Sequence, residues 1–177
     1  PLWSRGLGDV YKRQDLTTTV TAAVEAPVVA FEAEYESVLV ALEGRDFDPE
    51  LLSTAKALAA EKDRAIFVLV TIVVPAESPI DAQMPAQEAR ALAVIEEARV
   101  AGGRRVSGEI AKVRSGQAGR RIVDTAVEIG ARAIVMPARP RQGGAPFSRA
   151  LDTVLAERPC RVIIQSVPQL ASKGRSK

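Results

Sequence analysis

The sequence predicts an α/β fold, a parallel β-sheet with helices packed on both of its faces. Two patterns and one compositional fact carry the prediction. Short runs rich in Val, Ile and Leu alternate with longer segments whose apolar residues recur at helical spacing, strand after helix after strand along the chain. The run AIFVLVTIVV at 65–74 reads as an apolar strand, as a parallel strand buried on both faces requires. Composition agrees: 47% hydrophobic against 26% charged residues is ordinary for a globular chain, and 4% aromatic means a core of Val, Ile, Leu and Ala.

The first strand is SVLVAL at 37–42. In the segment that follows, Asp48 is placed to cap a helix with Pro49 at its first position, where a missing N–H costs nothing. Leu51, Leu52, Ala55, Leu58 and Ala59 form its apolar face. The second strand, 65–74, leads into a proline-marked loop, VPAESPIDAQMP at 74–85, which reads as a plain connection or as a lid or partner contact at the ligand end of the sheet. AQEARALAVIEEARVAGG then sets Ala91, Leu92, Val94, Ile95 and Ala98 inward on a helix that stops at Gly102 and Gly103.

VSGEIAKV at 106–113 alternates weakly, as an edge strand does. GRRIVDTAVEIG at 119–130 carries Ile122, Val123, Ala126 and Ile129 at helical spacing, with Gly130 as its stop. The GQAG that opens it, flanked by Arg114, Arg120 and Arg121, has two readings: an anion site at a helix N-terminus, or a tight turn with exposed arginines. ARAIVMP at 131–137 is the fourth strand. SRALDTVLAER at 148–158 is a helix with Ala150, Leu151, Val154 and Leu155 inward, and CRVIIQSV at 160–167 is the fifth strand.

Both termini fall outside this pattern. SRGLGDVYKRQ at 4–14, reverse-translated, resembles a transposon-end adapter used to fragment DNA, so residues 1–14 read as a non-native scar. An adapter joins wherever the DNA was cut, and no Met lies between Asp15 and Met84, so the product is expected to have continued upstream. Residues 15–35 read as a linker, 36–167 as the domain and 168–177 as a disordered basic tail. Of the chain's net charge of +2, residues 1–14 carry +2 (Arg5, Lys12 and Arg13 against Asp9) and the tail +3 (Lys173, Arg175 and Lys177). Residues 15–172 therefore carry −3, which argues against a nucleic-acid partner.

Other function classes fall away on residue types. Cys160 is the sole cysteine, so neither an intrachain disulfide nor a Cys-rich metal site is available, and Glu77 and Asp81 are too isolated to hold a metal. The chain has no histidine, which removes the most used general base and with it Ser-His-Asp and Cys-His chemistry. The longest strongly apolar uncharged run, AIFVLVTIVVPA at 65–76, is twelve residues, short of the ~20 that span a bilayer as a helix.

SVLVALEGR, GQAGRRIVDTAVEIGARAIVM and LDTVLAERPCRVII resemble, in that order, the universal stress protein family, over residues 36–167. The resemblance implies a Rossmann-like five-stranded sheet of order 3-2-1-4-5 and a homodimer paired through strand five, whose RVIIQS edge would otherwise be left open. Nucleotide-binding members place an Asp at the end of strand one and, after strand four, a spaced loop of glycines closing in Gly-Ser/Thr around the phosphates. Here strand one ends in Glu43 followed by Gly44, Pro137 and Pro140 align with the first two loop glycines, the spacer RQGGAPF is two residues short, and the closing pair aligns with Ser148 and Arg149. Proline has no N–H to donate and a fixed φ, so this loop does not make the same anion cradle. ATP and other cofactors are therefore not expected. A rebuilt site would use Arg139, Arg141 and Arg149 on the phosphates, with Gly143 and Gly144 as a shifted nest.

SPIDA and SGQAGRRIV look most like the soluble tails of amino-acid permeases of the amino acid–polyamine–organocation superfamily. The resemblance implies a non-catalytic regulatory domain on the cytoplasmic face of an inner-membrane transporter. The alternative is a stand-alone soluble dimer that binds a nucleotide or another small ligand. An enzyme is not expected, since no nucleophile–base set or convergent acid–base pair is visible.

Overall fold

The computed structural model describes residues 35–44, 47–59, 64–138 and 147–166. The segments read as scar and basic tail, and all of the linker but Tyr35, lie outside the described residues. Five strands, β1 (Ser37–Glu43), β2 (Ala65–Val74), β3 (Val106–Arg114), β4 (Ala133–Ala138) and β5 (Arg161–Ser166), form one all-parallel sheet in the order β3-β2-β1-β4-β5. The helices α1 (Pro49–Leu58), α2 (Pro85–Gly102), α3 (Ala118–Glu128) and α4 (Arg149–Glu157) make the crossovers. The expected class, element order and strand order all hold.

Central β1 shows why. Its side chains alternate between the two faces of the sheet, and Val38 to Leu42 are each at most 2% exposed. Val38, Val40 and Leu42 pack with Leu51, Leu52 and Ala55 of α1 and with Ala91, Val94, Ile95 and Ala98 of α2. Leu39 and Ala41 pack with Ile122, Val123 and Ala126 of α3 and with Ala150, Leu151 and Val154 of α4. A strand that feeds two cores has no position to spare for a polar side chain, whereas edge strands β3 and β5 alternate between covered and open positions.

Local chemistry sets where the helices begin. Asp48 caps α1 by accepting from the Glu50 N–H at 3.0 Å, with Pro49 next, as the sequence predicts. Ser148 caps α4 by accepting from the Leu151 N–H at 3.2 Å. One expectation needs correction. Leu92 is 59% exposed rather than inward, because it lies about 100° round α2 from Ala91 and so leaves the arc that meets the sheet. Pro137 is the fifth residue of β4, paired with Gln165 of β5, inside the fourth strand as the sequence predicts. Pairing of β4 with β1 has already ended at Val135, so the missing N–H falls where the ladder has one partner strand left.

Gly119 decides how closely α3 and α4 approach. A Cβ there would lie 2.7 Å from the Ala150 carbonyl oxygen and 2.6 Å from the Thr153 Cβ. Gly119→Ala gains up to about 1 kcal/mol of helix propensity but wedges a methyl group against backbone that no rotamer change can move, at a cost of about 1–3 kcal/mol. A net loss is expected, seen in urea as a lower unfolding midpoint at unchanged slope.

Candidate functional site

β1 pairs with β2 over its whole length, from Ser37↔Ala65 to Glu43↔Thr71, but with β4 only from Val38↔Ala133 to Val40↔Val135. Beyond Val40 the two strands part, at the place where the strand order reverses and where ligands bind in open α/β sheets. A cavity of about 350 Å³ opens at this end of the sheet, over the ends of β1 and β2. That size is at the lower end for small-molecule sites, roughly 300–1,000 Å³. Its polar lining comes from Glu43, Thr71, Gln87 and Arg90, and the rest of the lining includes Gly44, Ile72, Ala91 and Ala118.

Glu43 is the first polar side chain after the buried run of β1. Its Oε1 accepts a 2.6 Å hydrogen bond from the Ser148 hydroxyl, which also caps α4. The carboxylate is thus held at the positive end of a helix, a favourable place for an anion. Thr71, 2% exposed, donates its hydroxyl to the Leu42 carbonyl and keeps the strand ends together beside the cavity. Gly44 has φ +56, and a Cβ there would come within 3.0 Å of the Thr71 carbonyl oxygen, so the turn out of β1 needs glycine.

Of the site residues read from the sequence, Glu43 and Gly44 line the cavity and Ser148 reaches it through Glu43. Arg149 opens α4 as an exposed residue and is not part of the lining. Arg139, Gly143 and Gly144 lie outside the described residues, as do Pro140 and Arg141. Sequence reasoning missed Thr71, Gln87 and Arg90. The available signal was polar residues at i and i+3 in the first turns of the helix after β2, beside its apolar arc.

The family model for the universal stress protein family matches residues 34–165. The chain belongs to the universal stress protein family. Solved universal stress proteins share its fold. One from Archaeoglobus fulgidus is 19% identical, covering 72% of this chain and 91% of its own, with a TM-score of 0.56. A universal stress protein from Archaeoglobus fulgidus in complex with dAMP is 19% identical, covering 74% and 98%, also at 0.56. Another, solved in complex with cAMP, is 18% identical, covering 75% and 98%, at 0.53. No curated protein matches the chain.

The remaining motifs of this universal stress protein domain are occupied structurally. Arg120 pairs with Asp124 and Glu157, and Arg121 with Glu109 and Glu128, while Gly116 has a φ of +82 in the turn before α3. GQAG accordingly forms a tight turn and a helix contact, and its Ala118 lines the cavity. Burial pushes the Cys160 thiol up, away from thiolate chemistry, and Cys160 sits before β5, at the opposite end of the sheet from the cavity. Among the described residues no group of three or more His, Cys, Asp or Glu side chains is placed to hold a metal ion, and no helix is long and apolar enough to cross a membrane.

The loop between β2 and α2 is strapped to β3 near both ends. Arg114 donates to the Pro75 carbonyl. Lys112 donates to the Ala82 carbonyl at 3.0 Å and meets Glu88 Oε1 at 2.7 Å, and that oxygen also accepts from the Met84 N–H at 2.9 Å. The Lys112 hydrogen bond, followed by the Met84 N–H, holds the Glu88 carboxyl below its ordinary pKa. A carboxyl whose pKa is lowered on folding stabilises the fold above its unfolded value and loses that contribution as pH falls through the folded one. Comparing melting temperatures, Glu88→Gln is expected to lie below wild type by a constant gap at neutral pH. The gap narrows through the carboxylate range and closes in acid.

Proposed function

We propose that this universal stress protein domain is a non-catalytic, ligand-responsive regulatory module whose crevice takes a nucleoside-sized ligand with at most one phosphate. The observation that carries this reading is the Glu43–Ser148 hydrogen bond at the mouth of a 350 Å³ cavity. The serine hydroxyl aligned with the end of the family's phosphate loop is engaged by a carboxylate. A phosphate brought to that spot would meet a like charge, a repulsion of about 4 kcal/mol at 4 Å and an effective dielectric constant of 20. Pro137 offers no N–H in compensation. Solved relatives with dAMP and with cAMP hold ligands with a single phosphate, which supports the same class here. A chain without histidine, and with its crevice carboxylate engaged by Ser148, suits binding rather than catalysis.

The likeness of SPIDA and SGQAGRRIV to the soluble tails of amino-acid permeases supports a place for the module on the cytoplasmic face of such a transporter, where ligand state is passed on through contact. Calorimetric titration of the full chain tests the ligand class. AMP is expected to bind at least tenfold more tightly than ATP, with no ATP hydrolysis, and Glu43→Gln to narrow the gap by removing the repulsion. Micromolar ATP binding tighter than that of AMP would overturn the reading, as would no binding of either at millimolar concentration.

Pairing of two copies through β5 is the second part of the proposal. Ile164 is 37% exposed on this edge strand, whereas Ile163 packs against the core shared with α1 and α2. An open apolar edge is one that proteins normally cover. Sedimentation should show a dimer at high micromolar concentration and a monomer for Ile164→Lys. A monomeric wild type at that concentration would sink the idea.

A further inference from the structure

Arg90 differs from the basic residues that brace β3 and α3. Lys112, Arg114, Arg120 and Arg121 each have a carboxylate or carbonyl partner within the chain. Arg90 has none among the described residues, yet it lines the cavity with Gln87, one turn earlier on the same side of α2. Both sit beside the inward arc of Ala91, Val94, Ile95 and Ala98, so the helix that covers β2 and β3 turns two polar side chains toward the strand ends.

The cavity is therefore polarised. On the α4 side stands Glu43, an acceptor whose charge repels anions. On the α2 side stands an arginine with five N–H donors in a fork that fits a phosphate or carboxylate through two parallel hydrogen bonds. A ligand that offers hydroxyl or amine donors at one end and an anionic group at the other fits in one orientation, with its donors to Glu43 and its anion to Arg90.

We infer that Arg90, assisted by the Gln87 amide, is the anion-reading arm of the crevice and fixes the ligand's single phosphate on the α2 side. This rests on the ligand-binding reading above and adds to it the residue that sets specificity and the orientation of the ligand.

The test uses the full chain, with AMP and adenosine as probes. Wild type is expected to bind AMP about tenfold or more tighter than adenosine, the worth of one charge-assisted hydrogen bond. In Arg90→Gln the ratio falls to about one, through loss of AMP affinity. Arg90→Lys restores part of the ratio, since an ammonium group keeps the charge but not the fork. Added salt weakens AMP and spares adenosine in wild type, and affects neither in Arg90→Gln. Position 90 is exposed and Gln is a good helix former, so unfolding curves of the variants should overlay that of wild type. If Arg90→Gln keeps the AMP preference, the anion is read elsewhere and the inference fails while the crevice remains a ligand site. Equal binding of AMP and adenosine to wild type has the same meaning. If neither probe binds at millimolar concentration, the inference and the ligand-binding reading fail together.

Discussion

Burial of β1 on both faces is the constraint on which the rest of the molecule depends. In an all-parallel sheet the crossover helices cover both faces, so the central strand has no solvent side. Val38, Val40 and Leu42 serve one core, and Leu39 and Ala41 the other. From this follow the aliphatic composition, the placing of α1 and α2 on one face and α3 and α4 on the other, and the position of the first residue free to be polar. That residue is Glu43, at the point where β1 leaves the sheet's interior. Because all five strands run the same way, their carboxyl ends gather at one edge, and the chemistry of the crevice gathers there with them.

At that edge a carboxylate is held by a hydroxyl that also caps a helix. The Ser148 hydroxyl accepts from the Leu151 N–H while donating to Glu43, so a single side chain caps α4 and ties β1 to it across 105 residues of sequence. The same contact fixes the Glu43 carboxylate in a cavity lining that it shares with Gln87 and Arg90 of α2. Proline at 137 belongs to this arrangement. It lies in β4 past the last β1–β4 pair, so the strand tolerates a residue with no N–H while the crevice loses a donor.

The periphery is held by weaker, distributed interactions. Lys112 and Arg114 of edge strand β3 strap the loop that leads from β2 to α2, and that loop sets where α2 begins and hence where Gln87 and Arg90 stand. Arg120 and Arg121 tie α3 to α4 and to β3 through carboxylates that are largely exposed, each worth at most about 1 kcal/mol. Their effect is to commit those cations within the chain, whereas Arg90, which lines the cavity, has no such partner among the described residues.

Sequence by itself determined the class of the fold, its element order and most of its core, because the apolar periods of strand and helix are local properties written into every turn and pleat. The family resemblance marked Glu43 and Gly44 as well, at the end of the first strand. The sequence pattern misplaced Leu92, whose hydrophobicity says nothing of which arc of α2 meets the sheet. It did not show that Ser148 engages Glu43 or that Gln87 and Arg90 overhang the ends of β1 and β2. Those contacts join residues tens to a hundred positions apart. They exist only once crossovers and strand register have set the helix ends over the sheet, and no local pattern encodes a distance that the packing of two cores decides.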